Sequence, residues 1–157
     1  MSVAHRVRIL AIVAIAAASV TAHAAAPVGV RLPDFEQVVL GNGAQVALMV
    51  KRDTPMVAMN VIVRGGSLAD APGRAGTASL LAELMQKGAG SRNAAQFAEA
   101  IEGAGGELVI GADAEGLVAA ASFLGRDVAL MIELLSDALS RPRLDAAEFD
   151  KVRALAI

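Results

Sequence analysis

The sequence has no cysteine, no tryptophan and no tyrosine, and its only aromatic residues are four phenylalanines. Without cysteine it forms no disulfide and offers no thiolate nucleophile. Histidine is nearly as scarce: His5 and His23 are the only two. Both lie in a leader-like stretch. Arg6 and Arg8 supply a basic start, residues 9–20 are an apolar run, and Ala22-His23-Ala24 is an A-x-A cleavage triplet. The run is about 12 residues, too short to cross a bilayer comfortably. Residues 1–24 are therefore expected to be a cleaved secretory signal, and the signal is the only expected membrane contact. The destination is the periplasm or the exterior. The mature chain then has no histidine, so neither a Ser-His pair nor an imidazole–zinc site can be assembled from it. Loss of Arg6 and Arg8 from 14 basic residues leaves 12 against 16 acidic, a formal charge near −4. A mildly acidic chain with no basic run and no aromatic platform excludes nucleic acid as a partner.

What remains is apolar and punctuated by glycine. Residues 25–33 read as a linker and residues 34–157 as one domain. Residues 35–40 and 44–51 read as strands joined by Gly41-Asn42-Gly43, where Asn-Gly suits a tight turn. Residues 56–63 form a third strand, apolar at almost every position and so expected to be covered on both faces. Residues 107–112 and 117–124 read as a hairpin around the turn residues Asp113 and Glu115. Three helical stretches accompany these strands. Asn93 and Gln96 form a capping box ahead of the stripe Phe97, Ala100, Ile101 and Ala104. Asp127 is placed to cap a helix with the stripe Val128, Met131, Leu135 and Ala138. Asp145 and Glu148 open a last helix carrying Phe149, Val152 and Ala156, in which the sequence stops at Ile157. A chain ending in mid-helix is expected to be C-terminally truncated. The pattern predicts an α+β domain, an antiparallel-rich sheet with helices packed mainly on one face.

The chain is organised around residues 64–90. A strand end runs into a Gly-rich loop (Gly65, Gly66, Pro72, Gly73, Gly76), and a helix starts near Thr77 and ends at Gly88 and Gly90. At 100° per residue, Leu80, Leu81, Leu84 and Met85 share a face expected to be buried. Ser79, Ala82, Glu83 and Gln86 are expected on the other. Glu83 is spaced to pair with Lys87, and Arg64 and Arg74 read as solvated loop residues.

That second face carries a resemblance. Gly76-Thr77-Ala78 and Lys87-Gly88 set the register of a G-x-A-H-x-x-E-H…K-G pattern that resembles the M16 metallopeptidases, the insulinase, pitrilysin and mitochondrial processing peptidase family. The opening F-x-x-x-x-L-x-N-G-x-x-V (Phe35, Leu40, Asn42, Gly43, Val46) and Gly105-Gly106 are also similar to that family. The resemblance implies the M16/LuxS-like metallohydrolase fold and a zinc peptidase frame. It also places the zinc-ligand histidines on Ser79 and Glu83 and the general-base glutamate on Ala82. A third ligand, a glutamate of the last helix, falls at or beyond Ile157. Serine is a poor zinc ligand and alanine takes no proton. No catalytic residue, no metal ligand and no cofactor is therefore expected in this chain, although zinc is the family's cofactor. The family's substrate-binding edge strand falls on Leu108, Val109, Ile110 and Ala112, with the usual Asn-Ala at Val109-Ile110 and Thr at Ala112. Main-chain pairing there does not need those side chains.

Three functions fit these readings. One is a non-catalytic M16-like subunit that assists peptide or protein degradation beside an active partner carrying an intact zinc motif, with the peptide in a shared chamber. Another is a zinc metalloendopeptidase with atypical ligands. The third is a structural or scaffold protein. The leader reading has a direct test: N-terminal sequencing of exported protein is expected to start at Ala25, and intact Met1 on soluble cytoplasmic protein would refute it.

Overall fold

The structure, a computed structural model, describes residues 33–155, so the expected leader and Ala156 lie outside the described residues. It divides into two units between Val50 and Lys51.

The first unit contains an antiparallel hairpin, β1 (Glu36–Val39) and β2 (Gln45–Leu48), with Val38 opposite Val46. Its turn closes through the Leu40 N–H donating to the Ala44 carbonyl at 2.8 Å. Gly43 takes φ 83°, which glycine adopts without steric cost. The Asn42 side-chain oxygen accepts from the Ala44 N–H at 3.1 Å. The expected turn is present, with strands shorter than the apolar pattern suggests.

The second unit is built on a three-stranded antiparallel sheet. Its strands are β3 (Met56–Arg64), β6 (Glu107–Ala112) and β7 (Gly116–Leu124), in the order β3-β7-β6. The helices are α1 (Thr77–Met85), α2 (Ala94–Gly103), α3 (Val128–Ser140) and α4 (Ala146–Leu155). A two-residue hairpin, β4 (Gly88–Ala89) and β5 (Arg92–Asn93), joins α1 to α2. It escapes sequence reading because two residues carry no period.

The core lies on one face of the sheet. Ala119, Ala121 and Phe123 of β7 point into it, as do Leu108 and Ile110 of β6. Helical residues Phe97, Met131, Leu134 and Leu135 meet them there. The α+β architecture with helices on one face is the expected one. The expectation that β3 is covered on both faces is corrected. Val57, Met59 and Val61 pack on the core, whereas Ile62 is 73% exposed and Met56 52% exposed. Side chains alternate across a strand, so helices on one face bury only every second residue however apolar the rest.

The helices end largely as their sequences indicate. The Asn93–Gln96 capping box is formed in both directions. Asp127 stands at the start of α3 but its carboxylate caps nothing, being drawn to Arg126 at 3.3 Å. The α3 stripe is also wider than expected, since Leu134 and Asp137 are buried with it. Asp137 is the buried charge of the described residues, ion-paired to Arg141 and, at 4.0 Å, to Arg92. A Cβ on Gly90, which takes φ 58°, would lie 2.1 Å from its Oδ2, so a side chain there would push the paired carboxylate aside. The Gly90 N–H to Arg141 carbonyl bond, 3.0 Å, completes the junction.

Neighbouring glycines of one run have different duties. A Cβ on Gly106 would sit 2.4 Å from the ring of fully buried Phe123, while one on Gly103 would meet nothing within 4 Å. Gly106→Ala is expected to destabilise by about 1–3 kcal/mol through overpacking. Gly103→Ala is expected to be neutral or to stabilise by up to about 1 kcal/mol, as alanine is the better helix former. Urea titration of the two variants checks the contrast, and equal effects would contradict it.

Candidate functional site

The motif helix α1 is entered through Gly76, which takes φ 93°. A local side-chain cap is missing at this left-handed entry, and Asp70 of the preceding loop replaces it. Its two carboxylate oxygens accept from the Gly76 N–H at 2.8 Å and the Ala78 N–H at 2.9 Å. An anion is favoured there because the first turn leaves its N–H groups unpaired and carries partial positive charge. Sequence reasoning missed Asp70, which stands six residues before Gly76 and so outside any local capping pattern.

The helix is rotated from the expected orientation. Its buried residues are Ala78, Ala82, Leu84 and Met85, and Leu80 and Leu81 are half-buried. Ala82, expected on the outward face, is only 2% exposed and belongs to the core cluster. α1 packs against both β6 and α4, and its small residues Ala78 and Ala82 are buried. The apolar period placed all four of Leu80, Leu81, Leu84 and Met85 inward; Leu84 and Met85 are buried, and Ala78 and Ala82 are buried beside them. Ser79 and Glu83 are exposed, as expected. Glu83 makes no ion pair with Lys87 among the described residues.

These positions do not fit a zinc centre. The set is one exposed hydroxyl, one methyl in the core and one exposed carboxylate, where three strong donors and a base are required. Among the described residues, no three His, Cys, Asp or Glu side chains gather closely enough to hold a metal ion.

The loop leading to α1 is strapped to the β6–β7 turn. Gly65 N–H donates to the Glu115 carbonyl, Ser67 N–H to Asp113 and Leu68 N–H to Ala114, all at 2.9–3.0 Å. A Cβ on Gly66 would fall 2.3 Å from the Asp113 carbonyl oxygen, so this crossing needs glycine. Asp113 turns its carboxylate onto the Glu115 and Gly116 N–H groups, at 2.8 and 2.7 Å. Its role is turn formation. Arg64 and Arg74 are exposed.

The edge-strand candidates sort by pairing. Among the described residues β6 pairs only with β7, leaving its other edge open. The Asp113 N–H bonds the Gly116 carbonyl, and bonded pairs alternate along an antiparallel ladder. Val109 therefore spends its backbone groups on Ala120, and its side chain is 48% exposed on the open sheet face. Leu108, Ile110 and Ala112 turn their N–H and C=O groups to the free edge. Leu108 and Ile110 have their side chains in the core, and Ala112 is half-buried. The middle carbonyl, of Ile110, accepts from Gln86 Nε2 at 2.8 Å. The same nitrogen donates to the Ala82 carbonyl at 3.1 Å. Gln86, expected outward, is thus half-buried between α1 and β6.

Residues 45–157 match the family described as Insulinase (Peptidase family M16). Similar solved structures include an M16 inactive domain from Pseudomonas fluorescens, with TM-score 0.73 and 21% identity. A protease from Helicobacter pylori has TM-score 0.70 and 24% identity, and pitrilysin 0.70 and 21%. They cover 78%, 79% and 80% of this chain, which in turn spans 30%, 30% and 13% of theirs. No curated protein matches the sequence.

Asp70→Ala is expected to destabilise by about 0.5–2 kcal/mol, the usual cost of a lost N-terminal cap. Amide exchange should quicken at Gly76 and Ala78, whose N–H groups it holds. Unchanged exchange at both would show that the carboxylate does not cap α1.

Proposed function

Because the chain belongs to the insulinase family, peptidase family M16, we propose that it serves as a non-catalytic member that assists peptide or protein degradation beside an active subunit. The observation that carries this reading is the motif helix. Its frame survives from Gly76 to Gly88, while its chemical positions hold Ser79, Ala82 and Glu83. Ala82 is the most telling, since its methyl lies in the core where a base would have to reach water. The open edge of β6 supports a peptide-holding role, because main-chain pairing needs no particular side chain. The leader-like pattern of the first 24 residues supports a periplasmic or exported location for this role. The partner would carry the intact H-x-x-E-H motif, and the substrate would be an extended peptide shared between them.

Metal analysis of purified protein, dialysed without chelator, is expected to find no stoichiometric zinc. A peptide-cleavage assay is expected to show no turnover by this chain alone, with or without added zinc. Adding a chain that bears H-x-x-E-H is expected to bring cleavage above the level of that chain by itself. Stoichiometric zinc with chelator-sensitive cleavage by this chain would overturn the proposal in favour of atypical ligands. No enhancement by the added chain would favour a purely structural role.

A further inference from the structure

We propose that Gln86 acts as a stop on the free edge of β6, fixing how far an added strand can pair; this rests on the reading that β6 receives an extended peptide. An added strand extends the ladder through the outward groups of Leu108, Ile110 and Ala112 in turn. The Ile110 carbonyl is the middle acceptor, and it is already held by Gln86 Nε2 at 2.8 Å. The amide is not a loose surface group. It is half-buried, and its second bond, to the Ala82 carbonyl on the preceding turn, keeps it aimed at the strand.

The edge is thereby divided. On one side of the stop, the Leu108 N–H and C=O and the Ile110 N–H are available. On the other, Ala112 stands alone at the strand end. A peptide that pairs along the whole strand must take the place of Gln86 at the Ile110 carbonyl. A peptide that pairs only as far as the Ile110 N–H need not. Gln86 is therefore a specificity-determining residue acting on main-chain register and length. It belongs to the same helix as Ser79 and Glu83, so the motif helix and the peptide edge are joined by one side chain.

The test is fluorescence anisotropy with the full chain and a labelled, capped Val-Thr-Val-Thr-Val-Thr peptide, beside its singly N-methylated versions. Gln86→Ala and Gln86→Met are expected to bind the parent peptide about five- to tenfold more tightly than the wild type, the equilibrium value of one hydrogen bond that no longer has to be broken. One N-methylated peptide, lacking the N–H that reaches the Ile110 carbonyl, is expected to lose that gain in the variants and to bind the wild type like the parent. Gln86→Met keeps the side-chain length without the donor and decides the comparison if Gln86→Ala folds poorly. Equal affinities for wild type and Gln86→Met would overturn the stop while leaving the edge as a peptide site. A gain insensitive to every N-methylation would also overturn it. Binding by none of the three proteins would overturn the edge reading and the stop together.

Discussion

The second unit depends on covering one face of a three-stranded sheet. β7 occupies the centre of that sheet and presents Ala119, Ala121 and Phe123 to the helices. Two alanines in the middle of a strand leave room for helices to approach, and the bulk is supplied from opposite, by Phe97, Met131 and Leu134. Interiors of this kind are close-packed, so small and large residues must alternate across the contact. Apolar burial of several such side chains, each contributing about 1.5–3 kcal/mol, is the main favourable term. The same arrangement explains why Ala82 of α1 turns inward and why Gly106 tolerates no Cβ beside Phe123.

Polar groups do a different job, fixing where the irregular segments attach. Asp70 closes the start of α1, Asp113 shapes the β6–β7 turn, and Asp137 anchors the β4–β5 hairpin to the end of α3. Asp137 is the costly member of this set. A buried carboxylate is tolerated only when paired, and Arg141 and Arg92 supply the pairing from two elements. Gln86 extends the pattern to the junction of α1 and β6. The helix that carries Ser79, Ala82 and Glu83 is thus held at its start by Asp70 and near its end by Gln86.

Much was legible from sequence alone. Secondary structure followed from period and punctuation: the Asn-Gly turn, the capping box at Asn93 and Gln96, and the hairpin around Asp113 are local devices whose partners lie within a few residues. The family was equally visible, because its pattern is a matter of residue identity at fixed spacing. The sequence by itself also determined which strong metal donors the described residues lack.

Tertiary structure decided what depends on partners distant in the chain. The uncovered face of β3 follows from the sheet having helices on one side only, which an apolar run cannot disclose. The rotation of α1 follows from its being packed between β6 and α4 with Ala78 and Ala82 buried, which the apolar period of its leucines does not disclose. Asp70 reaches the helix start from outside the capping pattern, and Gln86 meets Ile110 across 24 positions. A hydrogen bond depends on distance and direction in space, so the sequence supplies the donor and the acceptor and only the fold brings them together.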